Sequence, residues 1–186
     1  MIKKHESKRL QESYYSMTLD SGFTMILYPK KDSYQMGAYL SVGYGSLFTT
    51  FVNREGIKRE HPHGTAHFLE HKLFESKTKN IFDQMGFLGA DVNAFTAHDN
   101  TCFYFNTIEN FEESLKLLLK VPELREYTAE GIEKERPIIH REIEMYQDNP
   151  DYAAYHHALN SLYPNHPIGQ DIAGTHESIE DITKEV

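Results

Sequence analysis

The first third of the chain carries three stretches rich in aromatic and other apolar residues, Tyr14 to Leu19, Phe23 to Tyr28 and Tyr34 to Val42. Asp20-Ser21-Gly22 and Pro29-Lys30-Lys31-Asp32 punctuate them, and the pattern predicts an antiparallel meander. Gly43, Gly45 and the polar run Asn53 to His63 predict a long loop, ended by Gly64 with an N-cap at Thr65. The spacing then becomes helical from Ala66 to about Glu75, and a short helix is expected from Lys79 to Met85, closed by Gly86 and Gly89. Ala90 to Thr96 and Thr101 to Thr107 read as a hairpin around His98-Asp99-Asn100. Asn110, with Glu113 three residues on, suggests a capping box for an amphipathic helix from Phe111 to Val121. Helices are expected from Ala129 to Tyr146 and Tyr152 to Tyr163, then a Pro- and Gly-rich loop, then a helix from near Ser178 that runs to Val186.

Strand-rich and helix-rich stretches are partly segregated, which predicts an α+β fold with a largely antiparallel sheet packed against helices. No internal repeat, low-complexity tract or linker divides the 186 residues, so a single domain over 1–186 is the expected organisation.

Charge narrows the function classes. A formal net charge of -9 argues against a protein that binds by neutralising phosphates, so no nucleic-acid partner is expected. The longest apolar cluster, Leu115 to Val121, is interrupted by lysines and too short to cross a bilayer, so no membrane partner is expected either. The first residues carry positive charge with no apolar stretch behind it, and Glu6, Glu12 and Asp20 do not suit a transit peptide. The single cysteine, Cys102, can form neither an intrachain disulfide nor a thiolate cluster, so a metal site must use His, Asp and Glu. These features together predict a cytoplasmic protein.

The segment His67-Phe68-Leu69-Glu70-His71 holds that chemistry. On a helix, imidazoles at i and i+4 and a carboxylate at i+3 project from one face, so one zinc ion can reach both rings. With a third protein ligand and a water this makes a catalytic rather than a closed site, and Glu70 stands where a base takes the water's proton. The order is the inverted form of the commoner zinc-peptidase motif. The stretch Glu135 to Glu144 is rich in candidates for the third ligand: Glu135 and Glu142 are seven apart and share a helix face, whereas Glu144 points elsewhere. For either one alone a solvated acidic face is an equal reading.

Other conspicuous residues read more plainly. His61 and His63 fall ahead of the helix, beside Pro62 and Gly64, and suit a loop. Cys102 reads as a packed thiol and Phe103 and Phe105 as core. Tyr152, Tyr155, His156 and His157 read as ordinary helix faces.

Four ordered blocks carry a resemblance. They are Gly64-Thr-Ala-His-Phe-Leu-Glu-His-Lys-Leu-Phe-Glu75; Gly89-Ala-Asp-Val-Asn-Ala-Phe-Thr96 with Thr101-Cys-Phe-Tyr-Phe105; Glu133 through Asp151; and His166-Pro-Ile-Gly169 with Gly174-Thr175. In order and spacing they resemble the pitrilysin/insulinase family, most nearly its bacterial cytoplasmic processing-peptidase-like members. The resemblance implies a zinc endopeptidase that cleaves peptides or unfolded segments inside a closed chamber. On the matching positions it implies His67, His71 and Glu142 as metal ligands, Glu70 as base, and Glu135 as a carboxylate that orients a histidine. Asn93, Ala94, Phe95 and Thr96 resemble the edge strand on which the family docks substrate by strand addition.

The resemblance further implies a longer protein. The chain would be the N-terminal catalytic part, with a second homologous half or partner subunit closing the chamber. Pro137 departs from the pattern: it is expected to kink or restart the helix and so to disturb Glu135 more than Glu142. The rival functional readings are an idle, peptide-enclosing relative and a non-peptidase metal-binding module.

Overall fold

The computed structural model describes residues 1–74, 81–123 and 127–185. It has an α+β architecture of small antiparallel sheets and six helices among the described residues, in two compact units, Met1–Tyr34 and Gln35–Val186. Glu75, Lys79 and Val186, where three of the expected helix ends fall, lie outside the described residues. None of the described helices is long and apolar enough to cross a membrane.

The first unit is a three-stranded meander of β1 (Lys3–Ser7), β2 (Glu12–Thr18) and β3 (Thr24–Leu27). Sequence reading misses β1, because Lys-Lys-His-Glu-Ser offers no apolar side chain. Its strand is held by pairing with β2 and by His5, whose ring stacks on Tyr14 at 4.4 Å and whose Nε2 lies 2.8 Å from Ser16 Oγ. The third expected meander strand belongs elsewhere: β4 (Met36–Val42) is in the second unit and pairs with β8 (Thr101–Thr107).

In the second unit the main sheet runs in the order β4-β8-β7, with β7 (Asp91–Thr96) at one edge. The β7–β8 hairpin is the one expected from His98-Asp99-Asn100, with Thr96 opposite Thr101. The expected loop over 53–63 contains strand as well. A short hairpin, β5 (Thr50–Val52) and β6 (Lys58–Glu60), turns at Asn53, whose Oδ1 accepts hydrogen bonds from Glu55 N and Ile57 N. The charged Lys-Arg-Glu of β6 hides it from pattern reading.

Helices cover the sheet and one another. Phe103 and Phe105 on β8 are fully buried with Met85 of α2 (Ile81–Phe87) and Leu118 of α3 (Phe111–Leu118). Cys102 is buried beside them as a free thiol. Asn110 does not form the expected capping box: it sits in the left-handed region (φ 53) with no side-chain cap, and its Nδ2 donates to Leu88 O instead. The helix ends at Leu118, short of the expected Val121.

A second core joins α1 (Thr65–Phe74), α4 (Ala129–Gln147) and α6 (His176–Glu180) through Phe68, Ile139, Ile143 and Ile179, all essentially inaccessible. Pro137 neither restarts nor ends α4, which is one helix of 19 residues. Ile132, Ile139 and Ile143 bury one face of that helix on both sides of the proline, and each such side chain contributes about 1.5–3 kcal/mol, enough together to offset about 3 kcal/mol for an interior proline. The last expected helix begins earlier and does not reach the chain end. Thr175 and Ser178 cap α6 reciprocally, and it stops at Glu180.

Candidate metal centre

Helix α1 enters the second core through Gly64, whose φ of +88 and close approach to Ala173 O leave no room for a side chain. Thr65 is the first helical residue rather than the cap, and its hydroxyl donates to Pro62 O at 2.8 Å. With Phe68 buried inward, His67 and His71 fall one turn apart, their ring centroids 4.7 Å from each other.

Helix α4 supplies the carboxylates. Glu142 faces both rings: Oε1 is 3.6 Å from His67 Nε2 and Oε2 is 3.4 Å from His71 Nε2. Donors about 2.0 to 2.2 Å from a tetrahedral zinc stand about 3.4 Å apart, so the spacing fits such an ion better than it fits direct hydrogen bonds. The three donor atoms lie within 4.8 Å of one another, the one group of this kind among the described residues. Two imidazoles and a carboxylate are the donor chemistry of a borderline-soft divalent metal with an open position.

Glu135, two helical turns before Glu142, lies on the far side of His71. Its Oε1 is 3.0 Å from His71 Nδ1, which fixes the ring so that Nε2 points at the metal position. The Lys72 ammonium, itself buried, donates to Gly131 O and lies 3.7 Å from Glu135 Oε2. The disturbance expected at Glu135 from Pro137 is therefore absent.

Electrostatics reflect this packing. Burial opposes protonation of His71, yet the Glu135 and Glu142 carboxylates hold its metal-free pKa up at about 9. The His67 and His71 imidazoles that face it hold Glu142 well below the usual carboxylate range. Glu135 is also lowered, burial being outweighed by His71 and Lys72.

Glu70 projects from the same face of α1 and accepts a 2.6 Å hydrogen bond at Oε2 from the Thr96 hydroxyl. It lines, with both histidines and Glu142, a cavity of about 440 Å³ whose margin includes Asn93 to Thr96 on the β7 edge. Asn93 and Phe95 are exposed, and Ala94 and Thr96 half-buried, as the pleat requires. Every residue expected at the site thus lies on the cavity margin, apart from Glu135, which stands behind His71.

Some residues on the cavity were not anticipated. Tyr146 and Tyr152, the second read as an ordinary helix face, line it with Ile172 and Ala173. Tyr146 is four residues after Glu142, a spacing that could have marked it. Ile172 and Ala173 come from a loop and carry no periodic signal. Glu144 is exposed, and His61 and His63 lie off the cavity, His61 Nδ1 being 2.8 Å from the Tyr44 hydroxyl.

Comparisons with known proteins agree on one relationship. The family described as Insulinase (Peptidase family M16) matches residues 54–176. The uncharacterized zinc protease YmfH of Bacillus subtilis is 39% identical over 187 aligned positions, covering 100% of this chain and 44% of that protein. The crystal structure of an M16-like peptidase from Alicyclobacillus acidocaldarius matches with a TM-score of 0.86 and 38% identity, over 91% of this chain and 40% of its own. An M16 peptidase inactive domain from Pseudomonas fluorescens has the same fold, with a TM-score of 0.71 at 18% identity over 90% of this chain and 40% of its own. This chain spans less than half the length of each. A domain named inactive shares the fold, so the fold alone does not decide activity and the site residues do.

Proposed function

The chain belongs to the insulinase (M16) peptidase family, and from that premise we propose that it is the zinc-binding catalytic part of an endopeptidase acting on peptides or unfolded segments. The observation that carries this reading is the convergence of His67, His71 and Glu142 beside the Glu70 carboxylate, on a cavity edged by β7, the outer strand of its sheet among the described residues. Zinc held by those donors supplies a Lewis acid and lowers the pKa of a water to about 7.

The chain's own groups do the rest. Glu70, with Oε2 engaged by Thr96, takes a proton from the attacking water at Oε1 and delivers it to the leaving amine. Glu135 holds the His71 Nδ1 proton, which keeps the Nε2 lone pair directed at the metal. The β7 edge from Asn93 to Thr96 receives substrate as an added strand, so that backbone hydrogen bonds set a scissile bond beside Glu70. A second, similar half or a partner subunit closes the chamber, in keeping with relatives more than twice as long. A cytoplasmic setting suits the single free thiol.

Metal content and turnover test this together. The purified chain is expected to hold about one zinc, and His67→Ala or His71→Ala to lose it. In the full-length protein Glu70→Gln should keep zinc and lower turnover by about 10² to 10⁴. Full zinc in the histidine variants, or an undiminished rate in Glu70→Gln, defeats the reading.

A further inference from the structure

Beyond the metal donors, Glu70 and the β7 edge, the cavity is walled by Tyr146, Tyr152, Ile172 and Ala173, which come from three separate stretches of chain. One residue behind that wall joins two of them. Asp171 Oδ1 accepts the Tyr152 hydroxyl at 3.0 Å and the backbone N–H of Ala173 at 2.9 Å, yet Asp171 is not among the residues lining the cavity. Its main-chain carbonyl accepts the Gly174 N–H at 3.0 Å, closing a turn whose fourth residue has a φ of +83. Tyr152 is fixed from two further sides. Its N–H donates to Asn149 Oδ1 at 3.2 Å at the start of α5 (Pro150–Leu162), and its ring is stacked on Tyr146 of α4, with centroids 4.8 Å apart and planes 20° from parallel.

We propose that Asp171 is a positioning residue for substrate: one carboxylate oxygen locks Tyr152 and the Ile172–Ala173 segment together, so that a peptide added to β7 meets a preformed wall. The inference rests on the reading that substrate lies in this cavity along β7. Side chains that must be ordered at the moment of binding weaken association by about 2- to 10-fold each, and bonds already made in the empty protein remove that loss. The oxygen, rather than the charge, carries the role. Two bonds of ordinary length fall on Oδ1, whereas Oδ2 stands 3.9 Å from His156 Nε2, too far for a hydrogen bond. His156 meets Tyr152 through its ring instead, with centroids 4.3 Å apart. The Ala173 carbonyl abuts Gly64 at the entry of α1, so the locked segment also keeps its place relative to the helix that carries His67 and His71.

Steady-state cleavage of one unstructured, quenched fluorogenic peptide by the full-length protein tests the proposal in Asp171→Ala, Asp171→Asn and Tyr152→Phe, with Glu70→Gln as the control for the reading beneath it. Asp171→Ala is expected to raise KM about 10-fold and Tyr152→Phe about 2- to 10-fold. In both, kcat should stay within about twofold of the parent, and zinc content should be unchanged. Asp171→Asn keeps a carbonyl oxygen in the same place and should return KM to the parental value. A parental KM in Asp171→Ala overturns the proposal, and so does an Asp171→Asn as impaired as Asp171→Ala, which would assign the role to the charge. A lowered melting temperature with unchanged KM, or a joint loss of kcat and zinc, makes Asp171 structural and overturns it too. If Asp171→Ala does not fold, Tyr152→Phe, which keeps the ring and its stack, decides alone, and a parental KM there overturns the proposal. In all these outcomes the peptidase reading survives as long as Glu70→Gln loses turnover. Undiminished turnover in Glu70→Gln defeats that reading and the proposal together.

Discussion

The Thr96 hydroxyl donates to Oε2 of Glu70 at 2.6 Å, tying the edge strand β7 to the candidate base on α1. Twenty-five residues separate the two positions in sequence, and the bond places the carboxylate at the end of the strand proposed to receive substrate. In the proposed mechanism, substrate docking and proton transfer are thereby set in one frame. A hydrogen bond to a charged group is worth about 1.5–3 kcal/mol, so Thr96→Val, which keeps the shape and removes the donor, should lower turnover of the full-length protein about 10- to 100-fold. Zinc content should stay at the parental level. Parental turnover in this variant would show that Glu70 is held by other means.

How much of this was legible in the sequence depends on the range of the interaction. The His67, Glu70, His71 face follows from spacing on one helix and is present as expected. Glu142 could not be chosen over Glu135 by spacing, since both lie on one face of α4; only the packing of Phe68 against Ile139 and Ile143 turns that face toward α1. The capping box at Asn110 failed because the local motif competes with a tertiary partner, the Leu88 carbonyl, and the partner wins. Strands β1 and β6 were missed because ladder pairing, not apolar side chains, makes them strands. Pro137 misleads for the opposite reason: its local penalty predicts a kink or restart of the helix, and burial on both sides of it outweighs that penalty.

The entry to α1 offers a test of stability. A Cβ on Gly64 would stand 2.5 Å from Ala173 O and 2.7 Å from Ile179 Cδ1, at a backbone φ of +88. The loop cannot retreat easily, because Ser178 Oγ donates to His63 O at 2.9 Å and Gly174 packs against the same carbonyl. Gly64→Ala should therefore cost about 2 kcal/mol or more in chemical denaturation, from left-handed strain and displaced backbone together. Because α1 carries both histidines, zinc should bind more weakly as well. A loss under about 0.5 kcal/mol would mean that the helix entry adjusts freely.

In the proposed zinc site proton and metal compete for His71, which should give the metal-free and loaded protein opposite responses to pH. His71 has a folded, metal-free pKa of about 9 against an ordinary value of 6.5. A group raised in this way contributes stability fully below its unfolded pKa and loses it as pH climbs through the folded value. Glu135 and Glu142 are lowered from 4.5, so their contribution is present above that pH and lost as pH falls. The metal-free protein should accordingly be helped most by this site between about pH 4.5 and 6.5, and progressively less up to about pH 9. Ligation needs the neutral ring, so zinc binding near neutral pH must expel one proton from His71, and affinity should rise about tenfold per pH unit up to about pH 9. Titration calorimetry in buffers of different ionisation enthalpy should count about one proton released per zinc near neutrality, and chelator competition should give the slope. A zinc affinity that stays level between pH 6.5 and 9 would remove His71 from the ligand set or strip it of its proton in the empty site.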